Sequence, residues 1–182
     1  MNLEIKPLTN VAFIDGQNLH LGTTERDKPW AVDHVRFRTY LREKYKIGEA
    51  YYFLGYISAA EQDLYDKLQK AGFILNFKEH PASLKSEKKG NIDSDIIFSV
   101  MKRIVDGEDF GKAFIVSGDG DYKKLVDFLL KKEKFGKMLF PNKAFASSLY
   151  ELMGGQYYDF LDAPDIKAKI EYAHIPQKKK AP

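Results

Sequence analysis

Residues 113–121 read Ala-Phe-Ile-Val-Ser-Gly-Asp-Gly-Asp, a run of apolar residues that ends in glycines and carboxylates. The apolar part has the length and composition of a buried strand, and the glycines allow the backbone behind it to turn sharply and approach a ligand closely. A similar run, Val-Ala-Phe-Ile over residues 11–14, ends at Asp15 and is followed by Gly16. Two buried strands are therefore predicted to end at carboxylates.

Apolar runs of strand length alternate with amphipathic segments of helix length along the whole sequence. This alternation predicts an α/β fold whose central sheet is mostly parallel and carries helices on both faces. The predicted strands span residues 11–15, 50–56, 73–78, 113–117, 137–140 and 157–161. The predicted helices span residues 33–46, 59–71, 92–106, 121–133 and 144–153. A capping box at Ser58 and Glu61 is predicted to open the second helix, with Gly72 and Gly136 in left-handed positions at helix ends.

Length and composition are typical of one ordinary globular domain. The chain has 182 residues, with 29 Lys and Arg against 26 Asp and Glu, and no Cys. A domain of this size buries roughly 70% of the surface that its unfolded chain exposes, so it needs no disulfide or structural metal. The lack of cysteine excludes disulfide frameworks, thiolate zinc sites, iron–sulfur clusters and cysteine nucleophiles. The excess of positive charge comes from three lysines at positions 178–180.

The two ends of the sequence lead to expectations about location and domain limits. Residues 1–7 contain an acid and lack the pattern of a secretory signal, and no stretch approaches the ~18 apolar residues of a membrane span. We therefore expect a cytoplasmic protein without a membrane partner. A single domain is predicted over residues 1–164, followed by an extension over residues 165–182 with a flexible basic tail.

The phase of the third predicted helix decides where its two aspartates point. Its apolar residues recur at the spacing of a stripe that packs against a core; they are Ile96, Ile97, Val100, Met101, Ile104 and Val105. Asp93 lies four residues before Ile97 and seven before Val100, so we expect it to point inward at the sheet edge. Asp95 shares a face with Ser99 and is expected to point mostly outward.

Four carboxylates are thus expected at the edge where parallel strands end and ligands bind: Asp15, Asp93, Asp119 and Asp121. Converging carboxylates repel one another, and a divalent cation relieves this repulsion. All-oxygen ligation favours Mg²⁺ or Mn²⁺, which suits phosphodiester hydrolysis because the ion activates water and stabilises the leaving oxygen. Structural roles stay open for each residue taken singly, as a helix cap or first-turn acid for Asp121 and Asp93 and as a turn former for Asp15.

Two segments too long for tight connections, over residues 19–32 and 80–91, are predicted to emerge at the same edge. Their cations and one aromatic residue would surround the acidic centre, hold phosphates and stack on an unpaired base; they are Arg26, Lys28, Trp30, Lys85, Lys88 and Lys89. A loop rich in Lys and Ser is equally typical of solvated, mobile chain, and this alternative stays open.

Several other site patterns fail on inspection. The residues after Asp119 lack the glycine and glutamate of a calcium loop, and the acids beside Gly118 and Gly120 would repel a pyrophosphate. The four histidines have no metal-ligand spacing, and no serine lies in a G-x-S-x-G motif. A phosphatase or nucleotidase with an Asp15 nucleophile is a weaker alternative, because the haloacid-dehalogenase pattern requires an aspartate where this chain has Gln17.

Three motifs resemble the NYN domains of the PIN-like nuclease superfamily, especially their bacterial LabA-like branch. The motifs are FIDGQN at residues 13–18, KGNID at residues 89–93 and IVSGDGDY at residues 115–122, in the order of the family. The resemblance extends over residues 8–162. It implies a three-layer α/β/α sandwich of the PIN-like (Rossmannoid) type, a site that depends on Mg²⁺ or Mn²⁺, and endoribonuclease activity.

The resemblance also implies roles for individual residues. The aspartates that match the family's acidic, metal-holding set are Asp15, Asp93, Asp119 and Asp121. Asn18 matches a polar residue that orients the site or contacts substrate, and Lys89 matches the basic residue before the family's Gly-x-x-Asp motif. This chain departs from the family in the polar start of the helix after Asp93 and in its Lys-rich loop, which leaves open whether Asp95 participates.

The leading hypothesis is a metal-dependent endoribonuclease acting on single-stranded or structured RNA. A non-catalytic regulatory module that binds RNA or protein is an alternative from a different class. It is disfavoured because degenerate domains usually lose one acid, whereas all four aspartates are present here. A homodimer is expected only because it is the commonest assembly of soluble oligomers.

Overall fold

The computed structural model describes residues 9–24, 29–78 and 92–172. Its sheet consists of β1 (Asn10–Asp15), β2 (Ile47–Leu54), β3 (Ile74–Phe77), β4 (Ala113–Val116), β5 (Phe135–Phe140) and β6 (Tyr158–Phe160). The strand order is β3-β2-β1-β4-β5-β6, and every neighbouring pair is parallel. Each predicted strand overlaps one of these, so the α/β prediction with a parallel sheet is confirmed.

Helices cover both faces of this sheet. They are α1 (Gly16–Thr24), α2 (His34–Tyr45), α3 (Gln62–Ala71), α4 (Asp93–Val105), α5 (Lys123–Lys131) and α6 (Pro164–Ile170). One core cluster contains buried residues of α2, α3 and α6, and a second contains buried residues of α4 and α5. The molecule is therefore a three-layer α/β/α sandwich with one core on each side of the sheet.

Strand β1 shows why the apolar runs are continuous rather than alternating. Ala12 and Ile14 belong to one core, whereas Val11 and Phe13 belong to the other. Successive side chains of a strand point to opposite faces, so a strand covered on both faces buries every residue. The first polar side chain after this run, Asp15, consequently lies at the carboxyl edge of the sheet.

Local signals explain some boundaries of the helices. Asp33 caps α2 by accepting hydrogen bonds from the backbone N–H groups of Val35 and Arg36. Gly72 ends α3 in the left-handed conformation, as predicted, with a φ of 92°.

Two of the other predictions about element ends are wrong. Ser58 makes no side-chain cap hydrogen bond, so the predicted capping box does not form. Gly136 lies inside β5, and the left-handed residue after α5 is Glu133, with a φ of 54°.

Three segments depart from the predicted elements. The stretch 19–32, predicted as a long connection, begins with most of α1, and residues 144–153 form short 3-10 turns instead of a helix. The first residues of the predicted C-terminal extension pack against the domain, because α6 buries Ile166 and Ile170 in the core. The basic tail at residues 178–180 lies outside the described residues.

No helix within the described ranges is both long and apolar enough to cross a bilayer.

The Gly136→Ala substitution is expected to destabilise the fold. A Cβ at this position would lie 2.3 Å from Cε2 of the Phe114 ring, so the ring or the strand has to move. We expect the free energy of unfolding to fall by about 1–3 kcal/mol, as for other overpacked cores. Urea unfolding measures this change. Gly155→Ala is the matched control, because its Cβ would meet no atom within 4 Å; an equal effect of both substitutions would contradict the packing argument.

Candidate metal centre

Three carboxylates converge at the carboxyl edge of the sheet. One oxygen from each of Asp93, Asp119 and Asp121 lies within 4.8 Å of the other two. Asp93 and Asp119 are half-buried, whereas Asp121 is exposed. These residues form what we call the acidic group. It opens to solvent on one side, and three of the four predicted carboxylates belong to it.

Asp119 is fixed by the turn that follows β4. Its Oδ1 accepts a 3.0 Å hydrogen bond from the backbone N–H of Asp121, so Asp119 caps the 3-10 turn Gly120–Tyr122. Its own N–H donates to Ser117 Oγ over 3.1 Å, and its carbonyl accepts from the Tyr150 hydroxyl over 2.7 Å. The helix-cap role considered for Asp121 thus belongs to Asp119. The turn fixes the Asp119 carboxylate beside the backbone of Asp121.

Asp15, the fourth predicted carboxylate, lies behind the acidic group rather than in it. Its side chain is only 4% exposed. Oδ1 accepts a 2.8 Å hydrogen bond from the backbone N–H of Asn18, and the hydroxyls of Tyr122 and Ser117 lie 3.2 and 3.5 Å from Oδ2. Burial raises the pKa of Asp15 to about 6, and the charge of Asp93 adds to this increase, while the Asn18 and Tyr122 hydrogen bonds oppose it.

The Tyr122 hydroxyl joins the buried carboxylate to the acidic group. It lies 3.2 Å from Asp15 Oδ2 and 2.5 Å from Asp93 Oδ1. A phenol has one proton to donate, so the two carboxylates share one donor. Burial, together with the charge of Asp15, raises the pKa of Tyr122 and keeps this hydroxyl protonated.

Tyr122 was not among the residues predicted for the site, although its position in the sequence carries a signal. Tyr122 lies three residues before Leu125 and four before Val126, so it extends the apolar stripe of α5, and all three residues are buried. A buried tyrosine hydroxyl requires a hydrogen-bond partner. Close to two predicted site aspartates, that partner was most reasonably a carboxylate.

Asn18 connects α1 to the turn after β4. Its Oδ1 accepts a 2.7 Å hydrogen bond from the backbone N–H of Gly118, while its own backbone N–H donates to Asp15. One residue therefore contacts both the buried carboxylate and the backbone just before Asp119. This geometry places Asn18 beside the acidic group.

The predicted ring of cations and an aromatic residue is described only in part. Arg26, Lys28, Lys85, Lys88 and Lys89 lie outside the described residues. Trp30 is 9% exposed and belongs to the core cluster of α2 and α6, with the Lys167 ammonium 5.4 Å from its ring centroid. The prediction that the Trp30 ring stacks on a base is therefore wrong, because the ring is buried in the core.

Asp95 lies on a different surface from the acidic group. It lines a groove of about 410 Å³ between the ends of β2 and β3 and the first turns of α4, together with Phe98 and Lys102. Its side chain is half-buried. The same helix thus directs Asp93 to the acidic group and Asp95 to this groove.

The donor set of the acidic group fits a hard divalent cation. It consists of carboxylate oxygens, and no histidine belongs to it among the described residues. Oxygen donors favour Mg²⁺ and Mn²⁺ over softer metals, and Mg²⁺ usually retains waters and phosphate oxygens as further ligands. Because the group is open to solvent, it can admit a phosphate next to such an ion.

Comparisons with known proteins bear on the family and the fold of the chain. The family model described as the NYN domain matches residues 10–153. The low amplitude and bright protein LabA of Synechococcus elongatus is 21% identical over 184 residues, which cover 96% of this chain and 94% of LabA. The crystal structure of a protein of unknown function from Vibrio parahaemolyticus superposes with a TM-score of 0.70 at 16% identity, covering 91% of this chain and 96% of that one. The structural likeness shows the same fold.

Asp15 is expected to make stability fall as pH rises in metal-free protein. The folded carboxyl keeps its proton up to about pH 6, whereas the unfolded one loses it near pH 3.8, so the folded state binds more protons between these values. Relative to Asp15→Asn, the wild type should lose roughly 3 kcal/mol between pH 3.5 and pH 7. Urea unfolding in chelator across this range measures the difference. Parallel curves for the two proteins would contradict the raised pKa.

Tyr122→Phe is expected to raise the pKa of Asp15 further, because the hydroxyl whose hydrogen bond lowers that pKa is removed. The variant should also lose about 1–3 kcal/mol of unfolding free energy at neutral pH, where two carboxylates then lack their shared donor. Carboxyl carbon NMR shifts followed through a pH titration report the pKa directly. Tyr65→Phe is the control, since its hydroxyl donates to Glu61, the residue just before α3, and it should leave the Asp15 titration unchanged.

Proposed function

The chain belongs to the NYN domain family, and we propose that it is a metal-dependent endoribonuclease whose reaction centre is the acidic group. The NYN domain belongs to the PIN-like nuclease superfamily. The observation that supports the proposal best is the convergence of Asp93, Asp119 and Asp121 within 4.8 Å at the open edge of the sheet. A purely structural role would not require three carboxylates to meet where water has access.

The three aspartates of the acidic group would hold Mg²⁺ or Mn²⁺. Such an ion lowers the pKa of water and neutralises charge that develops on the phosphate oxygens. Without a cation, the acidic group would repel the backbone of RNA. The carboxylates therefore have to be neutralised before a phosphodiester can approach, which makes cleavage strictly dependent on metal.

The buried residues behind the acidic group would act as positioning residues. Tyr122 restrains Asp93 through the 2.5 Å contact of its hydroxyl with Oδ1. Asp15 accepts a hydrogen bond from the backbone N–H of Asn18. This bond holds the first turn of α1 beside the acidic group. Asp15 is then a residue that orients the site from behind, in contrast to the direct metal ligand expected from the sequence.

We propose the residues that bind the RNA backbone from their positive charge. A cation held by the acidic group would neutralise the scissile phosphate. The other phosphates would need positive side chains, because the folded body has nearly balanced charge. Lys85, Lys88 and Lys89, in the segment that follows β3, and Arg26, in the segment that follows α1, are the residues that we propose for this role because of their charge.

The decisive experiment compares cleavage by two ligand variants. Asp93→Asn and Asp119→Asn should each lower the cleavage of end-labelled single-stranded RNA in Mn²⁺ by at least about a hundredfold, because removing a direct ligand costs no less than removing a residue behind one. Both should keep the far-UV circular dichroism of the wild type. Asp109→Asn, an exposed residue outside the site, is the control and should cleave normally. Matching DNA tests the preference for RNA.

Two outcomes would count against the proposal. Undiminished metal-dependent cleavage by both ligand variants would show that the acidic group is not the reaction centre. If the wild type neither cleaves RNA nor binds Mn²⁺ in calorimetry, the chain is instead a non-catalytic RNA- or protein-binding module that has kept the acidic residues.

A further inference from the structure

A pocket of about 380 Å³ lies directly beside Asp119. Its walls come from α1, from the turn after β4 and from the segment that follows β5. This volume falls at the lower end of the range for sites that bind small organic groups. The polar side chains that face it include Asn18, Asn142 and Ser147, and only Asn18 belongs to the motifs that the sequence singled out.

Two side-chain amides present fixed donors to this pocket. Asn18 Oδ1 accepts from the Gly118 N–H over 2.7 Å, and Asn142 Oδ1 accepts from the Ala144 N–H over 2.9 Å. Only the oxygen of a side-chain amide can accept a hydrogen bond from a backbone N–H. These two backbone donors therefore fix which end of each amide is oxygen and which is nitrogen. Neither amide nitrogen has a hydrogen-bond partner among the described residues, which leaves both NH₂ groups to donate to a ligand.

Ser147 adds a third donor of the same kind. Its Oγ accepts from the backbone N–H of Leu149 over 3.4 Å, and its own backbone N–H donates to the Gly118 carbonyl over 3.0 Å. One acceptor site on its oxygen is used, and the hydroxyl keeps its proton to donate to a ligand. The pocket therefore offers three donors and is complementary to a molecule rich in acceptors.

The remaining walls exclude an anion and favour a flat neutral ring. Leu21, Pro141 and Phe145 are apolar, and the Phe145 side chain is 53% exposed. The described residues that line the pocket include no lysine or arginine, whereas the Asp119 carboxylate lies at its edge. A phosphate here would face a carboxylate without a compensating cation. An aromatic heterocycle would contact the apolar walls and accept hydrogen bonds from the donors.

We propose that this pocket binds the nucleobase next to the scissile phosphate and that it prefers keto bases, uracil and guanine, over amino bases, cytosine and adenine. The proposal rests on the proposed function, because it takes the acidic group as the reaction centre. A keto base presents a carbonyl oxygen at the position where an amino base presents an NH₂ group. An amino group opposite the Asn142 NH₂ would bring two donors together with no acceptor between them.

The test is to let the protein cleave a pool of random RNA and to sequence the ends of the fragments. Such a pool requires no assumption about which nucleotide beside the cut enters the pocket. At one nucleotide beside the cut, the wild type in Mn²⁺ should favour keto over amino bases by about tenfold, the effect of one unsatisfied buried donor. Asn142→Asp keeps the Oδ acceptor for the Ala144 N–H and replaces the donor by an acceptor. It should abolish or reverse the preference at that nucleotide.

Ser147→Ala removes a second donor and should weaken the same preference independently of Asn142. Ser148→Asp is the matched control, because it adds the charge of Asn142→Asp to an exposed neighbour that does not line the pocket. It should change the overall rate at most and leave the base preference intact. A wild-type pool without base preference, or a preference that survives in both Asn142→Asp and Ser147→Ala, would overturn the pocket assignment while leaving the nuclease proposal standing.

Binding of free nucleosides separates this inference from the nuclease proposal. In saturation-transfer NMR without metal, uridine should receive stronger transfer from the wild type than cytidine does, and Asn142→Asp should remove the difference. If this result is obtained but no RNA is cleaved, the pocket is a base site and the nuclease proposal fails. If uridine and cytidine behave alike and no RNA is cleaved, both proposals fail.

Discussion

A buried carboxylate at the end of the central strand is the interaction on which the functional edge of this protein depends. Asp15 cannot be removed from water without donors, and the donors come from distant parts of the chain. The Asn18 N–H arrives from α1, the Ser117 hydroxyl from the end of β4 and the Tyr122 hydroxyl from the turn before α5. Satisfying Asp15 therefore brings together the same segments that carry the acidic group.

The carboxyl edge of the sheet carries two neighbouring surfaces, a charged one and an uncharged one, that suit different chemical groups. The acidic group concentrates negative charge at an open position, which suits a divalent cation and a phosphodiester. The neighbouring pocket instead combines apolar walls with amide and hydroxyl donors, which suits an uncharged ring. Asp119 lies at the boundary of both, so a nucleotide bound in the pocket would place its phosphate close to the acidic group.

Much of the fold and part of the site could be predicted from the sequence, because those features depend on local patterns. Continuous apolar runs marked the strands, and helical phase directed Asp93 and Asp95 to different surfaces. Helices α1 and α6 were missed because neither has a strong apolar stripe over its own length. In α1, Gly16 and Gly22 are close-packing positions, where a Cβ would lie 2.4 Å from the Tyr52 ring and 2.6 Å from the Pro141 Cβ.

The sequence by itself determined the parallel α/β architecture and the presence of carboxylates after two buried strands, since strand length, helical periodicity and turn residues act over a few positions. Only the tertiary structure decided that Asp15 lies behind the acidic group, that Trp30 is packed in the core, and that Asn18 and Asn142 face one pocket. Those arrangements join residues about a hundred positions apart, such as Asn18 and Gly118. Each buried polar group must find a hydrogen-bond partner in the folded state, and this need decides which distant residues come together. Such a requirement leaves no periodic pattern in the sequence.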